Sequence, residues 1–260
     1  MRASLPERGR SRTGWTALVL RGDHPLDMAT IDESLSPDFV VDNPQVVQVP
    51  TNTDDWQAVD EELAAKAHQL LAGDDAFDRR IAIFPIAPVS SCISLGYHLT
   101  SRPNVRLFQH HRDDRSWAWP KRPLPADDIV VSGLERTLPD CDAATFVFHL
   151  SATITDDALT EAGAPLGCRV DVRVAEPATN WLQHPEQLKW AALEARHAFE
   201  RAMQLFPRAR IWHLFYAGPA PVAVAIGQQI NPTMYPPVQL YEYRHKETPR
   251  YRPSIRLVTS

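Results

Sequence analysis

One segment of this chain is written twice, and that duplication constrains the fold more than any other feature. FPIAPVSSCISLGYHL, residues 84–99, is answered by FYAGPAPVAVAIGQQI, residues 215–230. Phe84, Pro88, Gly96 and Leu99 map onto Phe215, Pro219, Gly227 and Ile230 without a gap, at one offset of 131 positions (227 − 96). Each copy opens on a short apolar run, 81–84 or 211–215, of the kind that forms a buried strand of a parallel sheet. An Ala-Pro or Gly-Pro turn follows. Pro88 and Pro219 stand where a helix begins, a place that tolerates the fixed φ and missing N–H of proline. Val89, Cys92, Leu95 and Leu99, and in the second copy Ala220, Ala223, Ile226 and Ile230, then recur at helical spacing and give each helix an apolar face. A glycine interrupts both helices at roughly 1 kcal/mol relative to alanine, which predicts close packing of the helix on its sheet. Strand candidates at 105–108 and 238–243 close the unit.

The duplication extends upstream. The strand candidate VVQVP (46–50) precedes an amphipathic stretch and is matched with TFVFHLS (145–151), which leads through a longer insertion to a second amphipathic stretch, 184–206. Both halves then read β, α, β, α, β. The predicted fold class is α/β, two pseudo-twofold-related halves (15–125 and 126–260) with mainly parallel sheets and right-handed crossovers. GCRVDVRVAEP within the insertion is one further strand candidate, and the Pro-rich stretch 120–125 is a natural hinge.

Composition narrows the classes of function. The chain has 260 residues, enough for two small lobes with real cores, and no apolar run near the roughly 20 residues that span a bilayer. Its formal charge is −5, whereas proteins that grip long DNA or RNA carry a basic surface. Residues 1–14 are arginine-rich without the apolar core of a secretory signal. A disordered arm is expected there, with a targeting peptide or polyanion-binding tail as the alternative. Cys92, Cys141 and Cys168 show no paired metal spacing, and their odd number predicts no disulfide framework and a reducing, cytoplasmic setting.

A small anionic ligand suits such a chain. Helix N-termini present unpaired N–H groups and positive partial charge, and open α/β sheets bind ligands at the carboxyl ends of their strands. Ala87, Pro88, Ser90 and Ser91 in the first turn, with Gly218, Pro219 and Ala220 in the second, are therefore expected to offer backbone or hydroxyl donors to phosphates; the bland reading of each turn is a strand-to-helix connection. Tyr216 stands at a strand end, where it could stack on a base or donate its hydroxyl. Trp117, Trp119 and Tyr251 are expected in loops, either stacking on bases at ~1–3 kcal/mol each or packed in the core. Thr51, Asn52, Ser151 and Thr153 follow strands and either line the same crevice or form ordinary turns. Of Arg112, Arg115, Arg244 and Arg250, one or two are expected to reach the phosphates, Arg244 among them; Lys189, Glu194 and Glu200 read as solvated helix faces. Catalytic constellations are weak. His110-His111 with Asp113-Asp114 has metal-ligand composition but lacks a matching downstream set, Ser90-Ser91 lacks a nucleophile elbow, and Cys92 falls on an apolar helix face. No phosphate-loop or dinucleotide fingerprint is present. The expectation is no catalytic residue, no metal and no cofactor.

The second copy, followed by PPVQLYEY and YRPSIRL, resembles the SAVED domain, a family of cyclic-oligonucleotide sensors of bacterial antiphage defence built from two fused CARF-like halves. The resemblance runs from Trp15 to the C-terminus. It implies a receptor for a cyclic tri- or tetranucleotide, of the kind found in CBASS and type III CRISPR systems, with self-association on binding. In the family the domain is generally fused to an effector. Here about 45 residues precede the first strand of the repeat as read above, so the effector is expected in trans, or the chain is the sensor piece of a larger protein. Two readings of other kinds stand beside it: a ring nuclease degrading the same messenger, and an α/β interaction protein without a small ligand. Because the second turn alone carries an aromatic, Tyr216, the second half is expected to supply more of the ligand specificity.

Overall fold

The computed structural model describes residues 13–23, 26, 28–73 and 78–258. Most of the arm expected at 1–14 lies outside them, and Gly14 already opens the first strand. Among the described residues, eleven strands and six helices follow the order β1 (Gly14–Arg21), α1 (Ala29–Leu35), β2 (Phe39–Val40), β3 (Gln45–Gln48), α2 (Trp56–Leu70), β4 (Arg80–Ile86), α3 (Val89–Leu99), β5 (Asn104–Leu107), β6 (Val130–Ser132), β7 (Ala143–His149), α4 (Asp156–Glu161), β8 (Arg169–Arg173), α5 (Pro185–Leu205), β9 (Ile211–Ala217), α6 (Ala220–Gly227), β10 (Val238–Tyr243) and β11 (Tyr251–Leu257).

The strands form two sheets. In the first, β3, β1, β4 and β5 lie side by side and parallel, with β2 pairing the start of β1. The second runs β11-β10-β9-β7-β8-β6, its four inner strands parallel and its two edges antiparallel. Registers equate the halves: Leu18 faces Ile83 across β1 and β4, and Phe146 faces Leu214 across β7 and β9. Consequently β1 corresponds to β7 and β3 to β8. The sequence pairing of 46–50 with 145–151 is therefore shifted by one strand: the true counterpart of 145–151 is β1, about thirty residues before the strand read at 46–50. Both halves are doubly wound, with a topological switch point between β1 and β4 and another between β7 and β9.

Local chemistry explains the helices. Asp55 caps α2, accepting from the Ala58 N–H at 3.0 Å, and Trp56, Val59, Leu63, Ala67 and Leu70 form its buried stripe. His184 and Gln187 make a capping box at α5, where Pro185 takes the first turn. Pro88 and Pro219 are the N-cap residues of α3 and α6.

These two helices are buried almost all round, because they pack on each other as well as on the sheets. The glycine common to both marks their crossing. A Cβ on Gly96 would run into the carbonyl oxygen of Val224, and one on Gly227 into that of Ile93. The offset of 131 carries each contact onto the other, so a local twofold passes through the crossing. Close approach of helix to helix, rather than helix to sheet, is what the glycines permit. Gln228 Nε2 donates to the Thr100 carbonyl at 2.8 Å beside it. A single apolar core joins the first sheet through α3 and α6 to the second.

Cys141 and Cys168 form a disulfide, against the sequence expectation. They precede the adjacent parallel strands β7 and β8, whose pairing sets their Cα atoms 6.3 Å apart.

Candidate functional site

The carboxyl ends of both sheets converge. Arg244, just past β10, is buried and reaches across to the loop after β3, donating to Asn52 Oδ1 at 3.4 Å and to the Thr53 carbonyl, with Asp54 and Glu247 3.7 and 3.8 Å away. Asn52 and Arg244 are thus brought together from opposite halves, engaged with each other. Thr51 is held by Asp23 at the end of β1, through both its N–H and its hydroxyl.

The start of α3 is occupied by a side-chain carboxyl of the other half. Ser90 donates its N–H to Glu242 Oε2 at 2.9 Å, its hydroxyl pairs with that of Ser254 at 2.7 Å, and Ser91 turns its hydroxyl to the Pro88 carbonyl at 2.6 Å. Burial pushes the Glu242 carboxyl above its ordinary range, against the pull of hydrogen bonds from Ser90 and Val89 and the charge of Arg244. A carboxylate at a helix N-terminus uses the same N–H groups and dipole that a phosphate would. The donors expected of Ser90 and Ser91 are spent internally, while Ala87 and Pro88 stay half-buried beside them.

At α6 the position 131 beyond Ser90 is Pro221, which has no N–H, and the N–H groups of Val222 and Ala223 bond the Pro219 carbonyl at 3.1 and 3.2 Å. Tyr216 is folded beneath this turn. It is 2% exposed, donates its hydroxyl to Pro219 O at 2.7 Å, and is kept protonated by burial. A Cβ on Gly218 would lie 2.5 Å from that hydroxyl, so the glycine makes room for the tyrosine. Tyr216 consequently offers neither ring face nor hydroxyl to a ligand. Pro219 is buried, Ala220 is half-buried against the core, and Ser151 gives its N–H to the Ala217 carbonyl at 2.7 Å.

Trp117 and Tyr251 occupy equivalent places in the two cores, not open loops. Each lies edge-on to its strand phenylalanine, Trp117 to Phe84 at 5.2 Å and Tyr251 to Phe215 at 5.5 Å. Those phenylalanines stack on Phe108 and Tyr241. Trp117 is fully buried, and Tyr251, within β11, nearly so. Trp119 remains half-buried, its ring 5.8 Å from that of His111.

Seven buried side-chain atoms among the described residues lack a hydrogen-bond partner: Arg21 Nε, Gln109 Oε1, His110 Nδ1, His111 Nε2, Trp117 Nε1, Arg244 Nε and Glu247 Oε2. The last keeps an ion-pair contact of 2.8 Å to Arg252. All seven lie at or just beyond the carboxyl ends of β1, β5 and β10. Such atoms are scarce in native proteins, so their concentration at one end of both sheets needs a cause.

Sequence reasoning missed Glu242, although alternation places it on the core-facing side of β10 with Val238 and Leu240. It also missed His149 and Asp171. Asp171 is buried, which disfavours its charge, but hydrogen bonds from His149 and Arg169 outweigh burial and lower its pKa. His149 accepts from the Ile154 N–H at 3.0 Å and lies 2.7 Å from Asp171 through its other nitrogen. With both ring nitrogens engaged, the pair clamps the loop after β7 and has no free site for proton transfer. Cys92 is buried and its thiol is pushed up to about 12, by burial first and then by Glu242. Among the described residues no three His, Cys, Asp or Glu gather as a metal site, and no helix is long and apolar enough to cross a membrane. Two surface cavities, of about 380 Å³ beside α5 and 520 Å³ between the 122–128 segment and Trp181, contain none of the expected site residues.

Two doubly wound halves fused about a local twofold define a two-lobed α/β architecture with a common carboxyl end. The chain belongs to the SAVED family, "SMODS-associated and fused to various effectors sensor domain", whose sequence model it matches over residues 61–257. Solved structures with the same fold include the Acinetobacter baumannii Cap4 SAVED/CARF-domain receptor with the cyclic trinucleotide 3'3'3'-cAAA (15% identity, TM-score 0.63) and with 2'3'3'-cAAA (16%, 0.60). Each alignment covers 94% of this chain and 52% of the receptor. The Moraxella osloensis Cap4 receptor is 16% identical with a TM-score of 0.56, over 94% of this chain and 50% of that one. The chain thus spans about half the length of these receptors. No curated protein sequence matches it.

Proposed function

We propose that this chain is the receptor part of an antiphage defence system, holding a cyclic tri- or tetranucleotide at the common carboxyl end of its two sheets. The observation that carries the reading is the gathering there of buried polar side-chain atoms without a hydrogen-bond partner, six of them once the ion-paired Glu247 is set aside, at the place where doubly wound sheets take their ligands. The Cap4 receptors of the same fold with bound cyclic trinucleotides support it. At α3 the Ser90 N–H is taken by Glu242 and at α6 the matching Pro221 has none, so the proposed contacts are to side chains around β1, β5 and β10. The ligand is released unchanged, and its arrival is passed on by self-association or to an effector in a separate chain.

The test is a thermal-shift panel of cyclic di-, tri- and tetranucleotides, with the nucleotide recovered and chromatographed afterwards. A ligand at ~100 times its dissociation constant stabilises by about 2.7 kcal/mol, and should come back intact. A panel without any shift overturns the receptor reading and favours a plain interaction protein. Linear products at substoichiometric protein would replace the sensor by a ring nuclease.

A further inference from the structure

Building on the receptor reading, we propose that the loop after β5, residues 109–119, is the base-reading element: Gln109, His110 and His111 bind the edge of one nucleobase and Trp119 covers its face. Four of the seven unpartnered atoms fall in this one loop, on Gln109, His110, His111 and Trp117. None of these side chains carries a fixed charge. Burial, with Arg112 next, lowers the pKa of the His110 imidazole; burial likewise lowers that of His111, aided by His110 and Arg122 against the opposing charge of Asp114. Neutral, directional groups suit the edge of a base. A phosphate calls for cations and charge-assisted bonds. Single-stranded bases are recognised in this manner, by hydrogen bonds along an edge and stacking on an aromatic ring.

The loop is also rigid enough to select. His111 and Ser116 exchange backbone hydrogen bonds of 2.8 and 3.3 Å, and Trp117 anchors it in the core against Phe84 and His110. Pre-organisation lowers what binding must spend on ordering. The loop after β10 has the opposite character. Glu242 and Gln109 are equivalent, each following the stacking aromatic of its half, yet Glu242 caps α3 and Arg244 grips the loop after β3. The end of β10 and its loop lock the halves together, while the loop after β5, where Gln109 Nε2 donates to the His110 carbonyl at 2.9 Å, leaves Gln109 Oε1, His110 Nδ1 and His111 Nε2 without a partner. Specificity is thereby assigned to the first half, reversing the expectation drawn from Tyr216.

Calorimetric titrations with cyclic triadenylate, tricytidylate, triguanylate and triuridylate test this on the wild-type chain and on His110→Ala, His111→Ala and Gln109→Leu. The wild type should favour one base. Each variant should weaken that ligand by about tenfold or more and shrink its lead over the next-best base, while remaining folded without ligand by circular dichroism; His110→Ala, which also loses its ring contact with Trp117, is read only as a change in base ranking. His111→Asn should restore part of the preference. Equal weakening for all four probes, or an unchanged ranking in folded variants, overturns the base-reading role alone. Failure of the wild type to bind any of these probes, together with a cyclic di-, tri- and tetranucleotide panel that gives no thermal shift, overturns the receptor reading and this proposal with it.

Discussion

At the scale of single residues, the glycines at the helix crossing explain why the repeated segment stayed recognisable. Alanine at position 96 would be the better helix former by roughly 1 kcal/mol, yet its Cβ would strike the Val224 backbone. Gly96→Ala should therefore lower stability by about 1–3 kcal/mol in urea unfolding. Gly167→Ala, with open space around it, should stay within about 0.5 kcal/mol. The sequence revealed that both glycines mattered but not what they faced, since a missing side chain does not identify the element that approaches it. Trp117 and Trp119 make the complementary case. They are the same residue type two positions apart, and only the return of the loop onto Phe84 buries the first. Trp117→Ala should cost about 3–5 kcal/mol of stability, whereas Trp119→Ala, at a residue half-buried against the core, should cost less and should weaken ligand affinity.

At the scale of elements, the start of α3 shows how a ready anion site is closed from within. The folded Glu242 carboxyl titrates above its ordinary 4.5. The stability this shift contributes is fully present below pH 4.5, where both states are protonated, and is lost as pH rises through the raised folded value. Glu242→Gln has no proton to lose there. Its unfolding free energy relative to wild type should be flat below pH 4.5 and climb as pH rises through that window; parallel curves would remove the buried charge from the account. The strands were unevenly legible. β4 and β9 announced themselves through the Pro and Gly that follow them, where backbone geometry admits few substitutes. β1 and β7 need only apolar bulk, so Leu18 and Phe146 serve equally and no identity remained to align them. That freedom shifted the reading of the first half by one strand. The short helices α1 and α4, of seven and six residues, offer too few turns for periodicity to register.

At the scale of the whole molecule, two doubly wound halves share one core and one carboxyl end, but they are no longer equivalent there. Ser90 faces Glu242, while the matching positions are Pro221 and Gln109. The family and the two-half plan could be read from the second copy of the repeat; the inequality could not, because it arises from side chains 152 positions apart that meet only after folding. On the proposed receptor reading, a fused, unequal pair is expected to make one composite site rather than two. The most direct check is the stoichiometry of a cyclic trinucleotide in isothermal titration calorimetry. One ligand per chain, displaced as a single class of site, is the predicted result. Two ligands per chain, one for each half, or no binding heat from any cyclic oligonucleotide, would contradict it.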